Sequence, residues 1–128
     1  MTDVSCALII DKNGEILVAQ RGASMHLPLK WEFPGGKVEA GETAEACVVR
    51  EIAEELSLKV EILKRLTSHV HENGQKAIRL IPFLCQIKEG EIKLLEHAAF
   101  RWLSPEKLLA LDWAEADLPI LNDFLNSL

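Results

Sequence analysis

From Val4 to Ile10 the chain reads Val-Ser-Cys-Ala-Leu-Ile-Ile, nearly continuous in apolar character, which predicts a strand buried on both faces. Asp11-Lys12-Asn13-Gly14 interrupts it with an Asn-Gly hairpin signal, and Ile16–Ala19 returns as the expected partner strand. Residues 22–30 show no period. Trp31-Glu32-Phe33 is a short extended piece halted by the turn residues Pro34-Gly35-Gly36. From Thr43 to about Leu56 there is no Gly or Pro, and Val48, Ile52 and Leu56 recur at helical spacing, so a helix is expected with Thr43 as its N-cap. Two strands follow, about 59–71 and 77–87, around the turn Asn73-Gly74, and Phe100–Leu103 is a last short strand. Ser104-Pro105-Glu106 opens a short helix, with Ser104 as cap and Pro105 at its first position. A final helix opens at Asp117-Leu118-Pro119 and presents Ile120, Leu121, Phe124, Leu125 and Leu128 on one face. Strands interrupted by one helix, with helices closing the chain, predict an α+β or mixed-sheet sandwich.

At 128 residues the chain is expected to form one domain over 1–128, with a core that needs no disulfide or structural metal. Three scattered cysteines, Cys6, Cys47 and Cys85, have no metal-ligand spacing and read as small buried hydrophobes of a reducing cytoplasm. No apolar run reaches the roughly 20 residues that span a bilayer. Met1-Thr2-Asp3 lacks a basic leader, so a cytoplasmic location is expected. With 14 Lys and Arg against 20 Asp and Glu, the net charge is −6 and no basic block exists. That disfavours a nucleic-acid polymer or an anionic membrane as partner. It leaves open a small phosphorylated ligand carried by a divalent metal.

The central helix adds a reason to expect such a metal. Glu51, Glu54 and Glu55 fall within an arc of roughly 100°, bordering the apolar stripe, and only Arg50 stands among them as a cation. Carboxylates so close repel one another, and Mg²⁺ prefers such oxygen ligands and bridges them to phosphate. Taken alone, those three residues favour a solvated acidic face, since acidic stretches are common. The spacing around them argues otherwise. Gly36 is followed after five residues by Glu42. Seven residues later comes Arg50-Glu51-Ile52-Ala53-Glu54-Glu55-Leu56-Ser57-Leu58.

This pattern resembles the Nudix box, the loop–helix–loop of the Nudix hydrolases. One position departs: Ser57 stands where the family has a second glycine, a place that ends the helix and favours φ > 0. The run Trp31-Glu32-Phe33-Pro34-Gly35-Gly36-Lys37, the Glu96-to-Trp102 spacing and the closing Ala116-Asp117-Leu118-Pro119 extend the resemblance to the small MutT-like branch. That branch includes oxidised-purine nucleoside triphosphatases and CTP pyrophosphohydrolases. The resemblance implies an α/β/α sandwich with a mixed sheet, and hydrolysis of a nucleoside triphosphate to the monophosphate and pyrophosphate with Mg²⁺, Mn²⁺ being an alternative.

Carried over by position, Glu51, Glu54, Glu55 and the Gly35 carbonyl are implied metal ligands, with Arg50 orienting the glutamates. Glu96 matches a loop glutamate that serves as metal ligand or general base, so Glu96 and Glu51 are rival bases. Lys37 and Arg21 are expected on phosphates, with Lys76 and His26 as weaker candidates. His69 and His71, without a third ligand, read as structural. Phe33 and Leu8 are candidates for an apolar base slot. Asp117 matches the branch's base-reading position but is equally a helix N-cap. Ionised, it would accept from the cytosine amine; protonated, it could donate and accept toward an oxidised guanine. A nucleotide-binding module without catalysis is the rival function. Monomer and homodimer are both compatible with the sequence.

Overall fold

Strand β1 (Thr2–Ile9) is the axis of the computed structural model, which describes residues 1–128. It pairs in parallel with the long β7 (Lys76–Glu89) and antiparallel with β4 (Gly35–Lys37). β5 (Lys59–Arg65) and β6 (His69–Asn73) both lie antiparallel on β7, giving a mixed sheet of order β4-β1-β7-β5 with β6 beside β7. A second sheet holds β2 (Ile16–Gln20) between β3 (Trp31–Glu32) and β8 (Ala99–Leu103). Two helices complete the fold, α1 (Ala44–Leu56) and α2 (Leu118–Asn126).

The unbroken apolar character of β1 has a plain physical cause: each face meets a different core. Cys6 and Leu8 pack with Ile16, Val18 and Leu80 against Ile120, Leu121 and Phe124 of α2. Ala7 and Ile9 pack with Leu17, Ile81 and Phe83 against Val48, Ile52 and Leu56 of α1. The result is the expected α/β/α sandwich of the α+β class. No helix is long and apolar enough to cross a membrane. All three cysteines are free and buried.

Several local expectations are corrected. The turn at Asn13-Gly14 does not pair the strands it joins; only an isolated bridge links Ile10 with Ile16. β1 instead finds an eight-residue register on β7, and β2 finds β8. Pro34-Gly35-Gly36 is not a free turn, because Gly35–Lys37 is itself a strand. A Cβ on Gly35 would collide with the Ser5 carbonyl oxygen, so only glycine admits this pairing. The stretch 59–71 is two strands, both served by the length of β7. The segment after Ser104 is a 3₁₀ helix, Pro105–Ala110, with no side-chain cap bond from Ser104. Leu128 lies beyond α2 and is exposed, while Leu125 is half-buried against the core.

Helix α1 begins and ends as its sequence predicts. Thr43 Oγ1 accepts a bond of 3.0 Å from the Ala46 N–H. Ser57 is left-handed (φ 60°) and its N–H returns to the Ala53 carbonyl. A serine there lacks glycine's freedom, so Ser57→Gly is expected to stabilise the fold by about 0.5–1 kcal/mol, the relief of strain outweighing the added entropy of the unfolded chain. A urea melt in EDTA checks it; a variant no more stable than the parent would show that the αL strain is already relieved.

Candidate active site

A cavity of about 440 Å³ opens between β4, the β6–β7 hairpin, the loop after β2 and the segment before α2. Of the residues singled out from sequence, Arg21, Phe33, Gly35, Lys37, Glu55, Glu96 and Asp117 line it, as do Lys76 and His26. His71, read from sequence as structural, lines it too, whereas His69 lies away from it and bonds Asp123 at 2.6 Å. Leu8 does not reach the cavity; it is fully buried in the core toward α2. Glu51, Glu54 and Arg50, also singled out from sequence, do not line the cavity, although a Cβ on Gly36, which does, would strike the Glu51 carboxylate.

Arg50 gathers the outer acids. Its Nε donates to Glu42 at 2.7 Å, its Nη1 to Glu51 at 2.9 Å and to Glu54 at 3.2 Å, and its Nη2 to the Lys37 carbonyl at 3.2 Å. The guanidinium holds the Glu42 carboxyl down at about 2 and is itself kept charged by that partner. The repulsion expected along α1 is thus largely answered for Glu51 and Glu54.

Glu55 is left out of that arrangement. It is 3% exposed, its Oε2 has no hydrogen-bond partner, and burial, followed by the nearby charges of Glu32 and Glu51, pushes its carboxyl up to about 10. Beside it, His97 Nε2 donates to Glu32 Oε2 at 2.8 Å and lies 3.7 Å from Glu55 Oε1. Potential ligand atoms of Glu32, Glu55 and His97 all fall within 4.8 Å of one another. A buried carboxylate with an unpartnered oxygen, next to further acids, fits a divalent cation. Glu32 and His97 were not singled out from sequence. The available signal was an acid between two large apolar residues, Trp31 and Phe33, and a histidine directly after Glu96.

Phe33 packs against Trp113 with ring centroids 4.8 Å apart and forms apolar wall. Asp117, 7% exposed, is no helix cap: its side chain makes no cap bond, and Oδ2 accepts 2.7 Å from the Phe33 N–H. Burial, and next the charge of Glu32, raises its carboxyl to about 8, so near neutral pH it is largely a neutral acid with both a donor and an acceptor. Arg21 Nη1 is occupied by Glu32 at 2.7 Å and its Nε by the His26 carbonyl, leaving Nη2 toward the cavity side chains.

The cavity thus holds two unusual carboxyls, the buried and unpartnered one of Glu55 and that of Asp117, which accepts from the Phe33 N–H. Residues 1–124 match the family model described as the NUDIX domain, and the chain belongs to that family, the Nudix hydrolases. It is 38% identical over 119 residues to the CTP pyrophosphohydrolase of Escherichia coli (strain K12), covering 93% of this chain and 88% of that one. It is 34% identical over 118 residues to the 8-oxo-dGTP diphosphatase of the same strain, covering 92% of each. The solution structure of the E. coli ORF135 protein superposes with a TM-score of 0.85 at 36% identity, over 98% of this chain and 89% of that chain.

The raised Asp117 carboxyl sets a pH dependence of stability. Between its ordinary 3.8 and about 8 the native state keeps a proton that the unfolded chain has lost. Stability from this group is therefore fully present below about pH 4 and falls as pH rises toward 8, by up to about 1.4 kcal/mol per pH unit. Asp117→Asn keeps an oxygen for the Phe33 N–H and removes the proton. Urea unfolding free energies measured between pH 5 and 7.5 should decline less steeply in the variant; equal slopes would contradict the assignment.

Proposed function

We propose that this Nudix hydrolase is a Mg²⁺-dependent pyrophosphohydrolase, converting a nucleoside triphosphate and water to the monophosphate and pyrophosphate. Its substrates are cytidine or oxidised purine nucleotides, removed from the cytoplasmic pool as a house-cleaning activity. The observation that carries the reading is the buried, unpartnered Glu55 carboxyl beside the acids of α1, in a cavity that Asp117 also lines. The names of the two E. coli relatives supply the two candidate bases.

In this reading Glu51, Glu54, Glu55 and the Gly35 carbonyl would hold the metal. A divalent cation such as Mg²⁺, held by these residues, would neutralise phosphate charge and lower the pKa of the attacking water. Arg50 fixes Glu51 and Glu54 in orientation by charge-assisted bonds. Glu96 takes the water's proton: it lines the cavity free of any ion pair, whereas Glu51 is engaged by Arg50. Lys37 and the remaining Arg21 nitrogen meet the phosphate oxygens. The base lies against Phe33, and the neutral Asp117 carboxyl donates to and accepts from its edge. That pattern complements cytosine N3 and N4 as well as an oxidised guanine.

Two measurements test this. The first is kcat/KM for CTP, dCTP, 5-methyl-dCTP, dGTP and 8-oxo-dGTP, with and without Mg²⁺, on the parent and Asp117→Ala. A lost base contact costs about 1–3 kcal/mol, a selective drop of roughly tenfold to a hundredfold for one base. A uniform drop across the panel would remove Asp117 from recognition, and turnover without metal would remove the metal site. The second concerns protons. A metal ligand must be ionised, and Glu55 in the free protein is held up to about 10. Metal binding should therefore release close to one proton from Glu55, and affinity should rise up to about tenfold per pH unit from 6 to 8. Calorimetry with Mn²⁺ in buffers of different ionisation enthalpy reads the proton count; a count of zero refutes Glu55 as ligand.

A further inference from the structure

We propose that His97 is a positioning residue: through Glu32 it holds Glu55 aimed at the metal, and Arg21 ties this arrangement to the loop over the substrate. The inference rests on the metal reading above and assigns roles to two residues which that reading leaves without one.

The geometry is a continuous chain of bonds. The His26 carbonyl accepts from Arg21 Nε, Arg21 Nη1 donates to Glu32 Oε1 at 2.7 Å, and His97 Nε2 donates to Glu32 Oε2 at 2.8 Å. The same Nε2 lies 3.7 Å from Glu55 Oε1. The His97 side chain has no solvent exposure, so its ring cannot be a surface polar group that happens to face an acid. Its Nδ1 is buried without a partner, so the ring's one protein bond is the one at Nε2. Glu32 is thereby gripped on both oxygens, by a guanidinium and an imidazole, with its potential ligand atom within 4.8 Å of that of Glu55.

Positioning explains this arrangement better than direct ligation. The Nε2 atom that faces Glu55 is already spent on Glu32, and Mg²⁺ takes oxygen in preference to nitrogen. Partners one bond removed from a metal orient its ligands, and their loss commonly costs about 10–100-fold in affinity or activity. The bonded network runs from the His26 carbonyl to His97, whose Nε2 lies 3.7 Å from Glu55 Oε1, so it joins the loop after β2 to the surroundings of Glu55.

The test measures Mn²⁺ binding to the free protein, without nucleotide, by the electron paramagnetic resonance signal of unbound Mn²⁺. A glutamine amide reaches the place of Nε2, and an asparagine amide only that of Nδ1. His97→Gln should keep the parent affinity within about threefold, while His97→Asn and His97→Leu weaken it about tenfold or more. Glu32→Gln should weaken it likewise. At saturating nucleotide, kcat should fall in the Asn and Leu variants and recover in the Gln variant, with the nucleotide KM unchanged. If the Leu variant does not fold, the Gln and Asn pair, equal in polarity, carries the comparison alone. Parent-like Mn²⁺ binding in all His97 variants overturns the inference. So does nitrogen modulation in the Mn²⁺ spin echo of the parent that vanishes in His97→Gln, which would make His97 a ligand. Glu54→Gln separates the two levels. If it too leaves Mn²⁺ binding unchanged, the metal reading itself fails; if it weakens binding while the His97 variants do not, only the positioning role falls.

Discussion

The site depends on one close approach. Strand β4 runs between β1 and α1 in a gap that admits backbone and little else: a Cβ on Gly35 would meet the Ser5 carbonyl, and one on Gly36 the Glu51 carboxylate. On the helix side the backbone is held by polar contacts, Cys47 Sγ to the Gly36 carbonyl at 3.4 Å and Arg50 Nη2 to the Lys37 carbonyl. On the sheet side the Ser5 hydroxyl reaches across to the Ala44 carbonyl at the start of α1 at 2.9 Å. The distance between the acidic helix and the cavity floor is thus fixed by main-chain atoms, which do not change rotamer. Side chains with several charges can be kept in register only on such a base.

Charge is then distributed unevenly on purpose of geometry. Arg50 sits where Glu42, Glu51 and Glu54 can all reach it. Glu55, one residue further and turned toward the core, cannot. The outer acids are therefore satisfied in the free protein, and the inner one is not, which concentrates the demand for a cation at a single point instead of spreading it along the helix. Glu32 has its own cation in Arg21, so the inner end of the site is neither neutral nor simply anionic but partly compensated. In a chain of net charge −6, this is what separates a binding site from acidic surface.

Helix α1 and its caps were legible in the sequence because they are local: Thr43, Ala46 and Ser57 are near in sequence to the groups they serve. The two-core sandwich could be anticipated from apolar runs, but not the pairing. An Asn-Gly turn reports that the chain reverses, and says nothing of a better partner seventy residues on, which is what β7 offers β1. Asp117 illustrates the same limit. An aspartate before Leu-Pro at a helix start looks identical whether it caps the helix or accepts from Phe33, 84 positions away. Glu32 and His97 become partners only when β3 and the segment before β8 are brought together on β2, and neither Trp31 and Phe33 around the one nor Glu96 before the other announces that meeting. Residues whose meaning is a long-range meeting carry little of it in their own neighbourhood.

The hairpin of β6 and β7 closes one side of the cavity with His71, Asn73 and Lys76, and its turn lies outside both packed cores. Its length is therefore nearly free of the constraints that bind the rest of the chain, since lengthening it disturbs neither α1 nor the strand beneath it. The same cannot be said of β4 or α1, where one added atom reaches a carboxylate. The molecule is in effect two parts of unequal tolerance: a closely packed helix-and-strand seam at β4 and a hairpin wall outside the cores. In such a design, lineages can explore new ligands by editing a few turn residues while the chemistry stays still.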